Sequence, residues 1–135
     1  MGKTIKLANE TYLVNDVYRE SEIRVGTWIN GKPIYRKVIK FNPRTDVLES
    51  RANHNISNID EVLPTSCCVL HRINGQFVLF GMTYPASATA ILQWSMGWQV
   101  NKTQIFTWVG ESMREQIDTT NYGAVAIIEY TKTTD

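Results

Sequence analysis

The sequence predicts an all-β chain: an antiparallel β-sandwich of jelly-roll type, built from successive hairpins and carrying one short helical turn. Three observations predict it. Asn30-Gly31 and Asn74-Gly75 each interrupt a stretch of alternating or apolar residues, and Asn and Gly best tolerate the positive φ of tight hairpin turns. Turn signals recur at short spacing and leave room for about seven to nine strands. Helical periodicity is almost absent.

Residues 3–8, KTIKLA, alternate weakly and suit an edge strand. Residues 10–20 hold Tyr12, Leu13, Val14, Val17 and Tyr18 between polar residues and read as a lead-in packing outside the main sheet, against a neighbouring subunit or an upstream segment. Residues 22–41, EIRVGTWINGKPIYRKVIKF, are the first hairpin. A two-residue type I′ turn at Asn30-Gly31 sets Trp28 against Pro33 and Gly26 against Tyr35. Pro33 then falls where no ladder N–H is needed, and the Tyr35 ring covers a bare glycine. Trp28, Asn30, Gly31, Pro33 and Tyr35 are the structural residues of this hairpin.

Asn42-Pro43-Arg44 ends it. Residues 46–56 are expected as a strand with a polar face. Ser57-Asn58 followed by Ile59-Asp60-Glu61-Val62-Leu63-Pro64 has a cap, first-turn acids and a closing proline, the pattern of one helical turn. Residues 66–82 repeat the hairpin device at Asn74-Gly75, setting Arg72 against Phe77 and Leu70 against Leu79. Val69, His71, Ile73, Val78 and Phe80 then share one face. A third hairpin is expected over 89–109 about Asn101-Lys102, with Trp98 against Ile105, Trp94 against Val109 and Gly97 against Phe106. That register puts Trp94 and Trp98 on one face and Trp108 on the other. Residues 110–121 are expected as a polar loop with a short strand. In the last strand, 122–132, Ala124, Ala126, Ile128 and Tyr130 share a face.

Bulk properties narrow the function. At 135 residues, 43% hydrophobic, 20% charged and with a net charge of +1, the chain suits one globular domain and gives no electrostatic reason to expect nucleic acid. No apolar run approaches the ~20 residues of a membrane helix, and no signal peptide is indicated; Met1-Gly2 leaves myristoylation open. Cys67 and Cys68 are adjacent, so buried free thiols are expected rather than a disulfide framework. The two histidines, His54 and His71, have no metal-ligand spacing, and no glycine-rich phosphate loop or nucleophile elbow occurs, so neither metal nor cofactor is expected. Glu111 and Glu115 are the one carboxylate pair worth weighing for glycoside hydrolysis, and loop acids are the plainer reading. Four tryptophans and six tyrosines are many for this length. Such rings stack on sugars or fill a core. Trp94, Trp98 and Trp108 are the receptor-contact candidates.

Gly26-Thr27-Trp28-Ile29 and Gly31-Lys32-Pro33-Ile34-Tyr35, then Ile56-Ser57-Asn58-Ile59-Asp60, then Glu129-Tyr130-Thr131-Lys132-Thr133-Thr134-Asp135 form three blocks spanning most of the chain. They resemble the head module at the C-terminus of tail-fibre and tail-tip proteins of bacteriophages and of prophages of Gram-positive bacteria. Asn30 replaces the family's Asp, and Asn55 its Gly. The resemblance implies a virion component made in the bacterial cytoplasm. Residues 1–17 would join an upstream fibre or tail protein, and residues 18–135 would be a homotrimeric β-sandwich head. It implies adhesion to a host-surface glycan rather than catalysis, with no membrane or nucleic-acid partner. The alternative is a structural trimerising or decoration domain. Arg72 to Gln116 matches no family pattern and is where receptor specificity is expected.

Overall fold

The computed structural model describes residues 17–80 and 96–135, and the backbone of 4–7 and 10–13. The strands are β1 (Thr4–Leu7), β2 (Glu10–Leu13), β3 (Ile23–Thr27), β4 (Pro33–Phe41), β5 (Glu49–Asn53), β6 (Ile59–Val62), β7 (Cys67–Arg72), β8 (Gln76–Leu79), β9 (Met96–Val100), β10 (Gln104–Val109) and β11 (Ala124–Lys132). One short helix, α1, covers Glu111–Arg114. The strands form a separate pair β1-β2, a three-stranded sheet β5-β10-β9, and a larger sheet β3-β4-β11-β7-β8 in which β6 also pairs β11. The registered pairs are all antiparallel. The fold is all-β and sandwich-like, as the hairpin pattern predicts.

The chain divides into two compact units. The first comprises Met1–Val38, Asn58–Ser66 and Ile127–Asp135; the second comprises Ile39–Ser57 and Cys67–Ala126.

In the first unit the β3–β4 turn differs from the expected type I′. The Gly31 N–H donates to the Trp28 carbonyl at 2.9 Å, and the Trp28 N–H donates to the Lys32 carbonyl at 2.8 Å. Only Gly31 takes positive φ, at +86°. This is a three-residue loop, an ordinary turn followed by a left-handed glycine. Asn30 is not among the positive-φ residues, and its side chain accepts from the Lys32 N–H at 3.0 Å. Thr27 therefore faces Pro33, which opens β4, and Gly26 faces Ile34. A bulge at Val25 then sets Arg24, not Gly26, against Tyr35. Val25, Ile59, Leu63, Ile128 and Tyr130 are buried together in this unit's core.

Residues 59–62 are a strand rather than the expected helical turn. Asn58 turns left-handed, with φ +61°, and its carbonyl accepts from the Thr133 N–H at 2.8 Å. Val62 then sits opposite Tyr130 and Ile59 opposite Lys132. The free side of β11 offers these residues backbone partners, and that tertiary pairing outweighs the local capping signal. Among the described residues the helical turn lies at Glu111–Arg114 instead, in a segment expected as a loop with a short strand, and it buries Met113.

In the second unit the β7–β8 hairpin is offset by one residue from the expected register. Asn74 and Gly75 both take positive φ, at +72° and +70°. The pairs are nevertheless Arg72 with Gln76, His71 with Phe77, Leu70 with Val78 and Val69 with Leu79. A one-residue offset moves every side chain of β8 to the other face. Phe80 therefore joins Cys68 and Leu70 in the core, while Phe77 and Leu79 stand in solvent. The β9–β10 register is offset by two: Trp98 faces Thr107, Gly97 faces Trp108 and Met96 faces Val109. The Asn101 side chain accepts from the N–H groups of Thr103 and Gln104, at 2.9 and 2.7 Å, and so lengthens the turn. An even offset preserves faces. Trp98, Ile105, Thr107 and Val109 point inward and are almost fully buried.

Candidate functional site

The alternation of β10 that buries Ile105, Thr107 and Val109 necessarily turns Phe106 and Trp108 outward. On that outer face Trp108 lies between Gly97 and Glu49, and Phe106 lies between Gln99 and Arg51. Gly97, itself buried, brings no side chain of its own to this face. The two rings stack at 6.2 Å between centroids with planes 17° apart. The Arg51 guanidinium sits 4.8 Å from the Phe106 centroid and 3.6 Å from Glu49. Beyond them the Gln104 amide donates to the Asn53 side chain at 3.2 Å. The result is a half-buried aromatic step rimmed by amide, carboxylate and guanidinium groups. A ring face of this kind attracts C–H groups, and its rim can hydrogen-bond hydroxyls.

Of the predicted receptor residues that are described, Trp108 is thus the one on an accessible surface. Trp98, 1% exposed, is a core residue and not a contact for any ligand. Trp94 lies outside the described residues. Sequence reasoning missed Phe106 and Arg51, although Phe106 was available from the same alternation that exposes Trp108. The hairpin residues Trp28, Asn30, Gly31, Pro33 and Tyr35 sit in or beside the first turn, and Asn74 and Gly75 form the second.

The second unit has another solvent-facing surface. Phe77, Leu79 and Ile73 are 70%, 67% and 49% exposed. Behind them the His71 ring meets Phe77 edge-on at 5.2 Å and lies 5.1 Å from Tyr122, on which Lys40 rests.

The first unit gathers several charged groups into pairs. Arg36 Nε meets Glu129 Oε2 at 2.6 Å, and Thr65 Oγ1 donates to the other carboxylate oxygen at 2.6 Å. Arg36 also donates to the Val17 carbonyl and lies over the Tyr18 ring. Lys32 pairs with Asp60, and Lys132 with Glu22. The Tyr130 hydroxyl donates to Glu22, and that of Tyr35 to Asp135 at 2.8 Å. Burial, then the Glu22 hydrogen bond, pushes the Tyr130 phenol up; the Asp135 hydrogen bond does the same for Tyr35. Both phenols stay protonated, so this cluster fastens strands rather than moving protons.

His54 is buried. Its Nδ1 accepts from the Ile56 N–H at 3.0 Å, which leaves Nε2 to donate to the Asn101 carbonyl at 2.9 Å. It is a neutral brace between two loops. Burial pushes the Cys68 thiol up, which makes it inert as a nucleophile. Among the described residues no group of three or more His, Cys, Asp or Glu comes together as a metal site, and no helix is long and apolar enough to cross a membrane. Scans against models of protein families, curated proteins and solved structures find no match to this chain.

Proposed function

We propose that this chain is a non-catalytic adhesion head of a phage tail fibre or tail tip, which holds a host-surface glycan on the outer face of the β5-β10-β9 sheet. The observation that carries the reading is the stacked Phe106–Trp108 step with Arg51 beside it. Side chains of this size are ordinarily buried on a sheet face, whereas these two are only half-buried and have polar groups beside them. The three-block sequence resemblance supplies the phage setting, the attachment to upstream fibre or tail proteins and the homotrimer.

Binding to a glycan array and to whole Gram-positive cells tests the reading. Trp108→Ala and Phe106→Ala are expected to lower the affinity at least tenfold while leaving circular dichroism unchanged. Equal binding by both variants would refute it. A purely structural role in the virion is favoured by a different observation, the exposed Phe77 and Leu79 of β8, which suit assembly better than sugar recognition.

A further inference from the structure

We infer that β8 is a self-association edge, on which a second copy of this chain adds its own β8 antiparallel about a two-fold axis at Val78. The inference goes beyond the adhesion reading and does not rest on it. It starts from the direction of the backbone groups. The Phe80 N–H donates to the Cys68 carbonyl, and with the register of this hairpin the closely bonded pairs are Cys68 with Phe80, Leu70 with Val78 and Arg72 with Gln76. The N–H and C=O of Phe77 and Leu79 therefore face away from β7. Among the described residues no strand takes them, because β8 ends its sheet.

Proteins usually blunt such an edge with a lysine, a proline or a bulge. The strand at the other end of the sheet order, β3, has both a bulge and Arg24. From Ile73 to Phe80 there is no charge, no proline and no bulge.

The edge fits its own copy. Two N–H and two C=O groups are disposed symmetrically about Val78. A two-fold mate thus closes four hydrogen bonds by pairing Phe77 with the mate's Leu79 and Leu79 with the mate's Phe77. Each exposed ring then lies beside an exposed aliphatic side chain, a favourable cross-strand pair. The strand carries no charge and the chain is +1 overall, so two copies meet without repulsion and a charged partner finds nothing to read. Four residues make a small contact, of the class that dissociates on dilution.

Sedimentation velocity of the full chain over a concentration series, with mild oxidation of Val78→Cys, tests the inference. Across the axis the two Val78 positions form a non-hydrogen-bonded pair about 4.5 Å apart at Cα, within disulfide reach. Val78→Cys is expected to give a covalent dimer at least tenfold faster than Ile29→Cys, a control at an exposed turn tip. Phe77→Lys is expected to abolish the concentration-dependent doubling in mass, whether of monomers or of trimers, without loss of fold. A mass that Phe77→Lys does not change, or cross-linking of Val78→Cys no faster than the control, would overturn it. Glycan binding unaltered in Phe77→Lys leaves the adhesion reading standing whichever way this result falls.

Discussion

Removing the Glu129 side chain should cost the fold about 3 kcal/mol. Its carboxylate accepts from Arg36 Nε and Thr65 Oγ1, both at 2.6 Å, and the Arg36 and Glu129 side chains are only 11% and 12% exposed. Truncating one member of a buried pair strands the other charge, at ~3–5 kcal/mol. Arg36 keeps the Val17 carbonyl and the Tyr18 ring, which places the cost at the lower end. Urea unfolding with a slope of about 2 kcal/mol per molar would register Glu129→Ala as a midpoint lowered by about 1.5 M. The double variant Arg36→Met/Glu129→Leu removes both charges and keeps the volume, so it should return to within about 1 kcal/mol of the parent. A Glu129→Ala loss under about 1 kcal/mol would refute the argument that desolvation governs this pair. So would a double variant as unstable as the single.

Gly31→Ala should cost about 1–2 kcal/mol by thermal melt, because φ is +86° and nothing lies within 4 Å of the added carbon, so the cost is backbone strain alone. Trp98→Ala should cost about 3–5 kcal/mol as a core truncation, whereas Trp108→Ala should cost far less and lose glycan binding; equal destabilisation by the two would contradict the assignment of faces. Tyr130 has a raised folded-state pKa, so its contribution is fully present below the unfolded value of about 10 and is lost as pH climbs past it, at up to about 1.4 kcal/mol per pH unit. Tyr130→Phe should flatten, though not abolish, the fall in stability measured by denaturant titration above pH 10, since Tyr35 is raised in the same direction.

The hairpins were legible because Asn-Gly pairs and strand alternation are local, and so was the last strand, where Ala124, Ala126, Ile128 and Tyr130 are fully buried as the pattern requires. Registers were less so. Asn30-Gly31 serves both a two-residue turn and a three-residue loop, and the choice was made by Asn30 bonding the Lys32 N–H, which dipeptide preference does not report. Residues 59–62 show the limit more sharply. A cap, two acids and a proline describe a helical turn, but whether β11 has a vacant side is a property of the assembled sheet, invisible at 70 residues' distance in sequence.

The two register errors differ in consequence, and the difference explains how the surfaces were read. An offset of two in β9–β10 left every face intact, so Trp98 and Trp108 stand on opposite faces as expected, and the burial of Trp98 puts Trp108 outside with Phe106 beside it. An offset of one in β7–β8 inverted a strand. With Arg72 against Phe77, residues Val78 and Phe80 share a face with His71, and Phe77 shares the other with Leu70, so both faces look like core. With Arg72 against Gln76, the buried row is Cys68, Leu70 and Phe80, and the apolar side chains left over are Phe77 and Leu79. Hydrophobicity on both faces of that hairpin was therefore a true signal with two possible causes, a central strand or an edge that another chain completes. Among the described residues the sheet order ends at β8, which removes the first cause and agrees with the self-association proposed above.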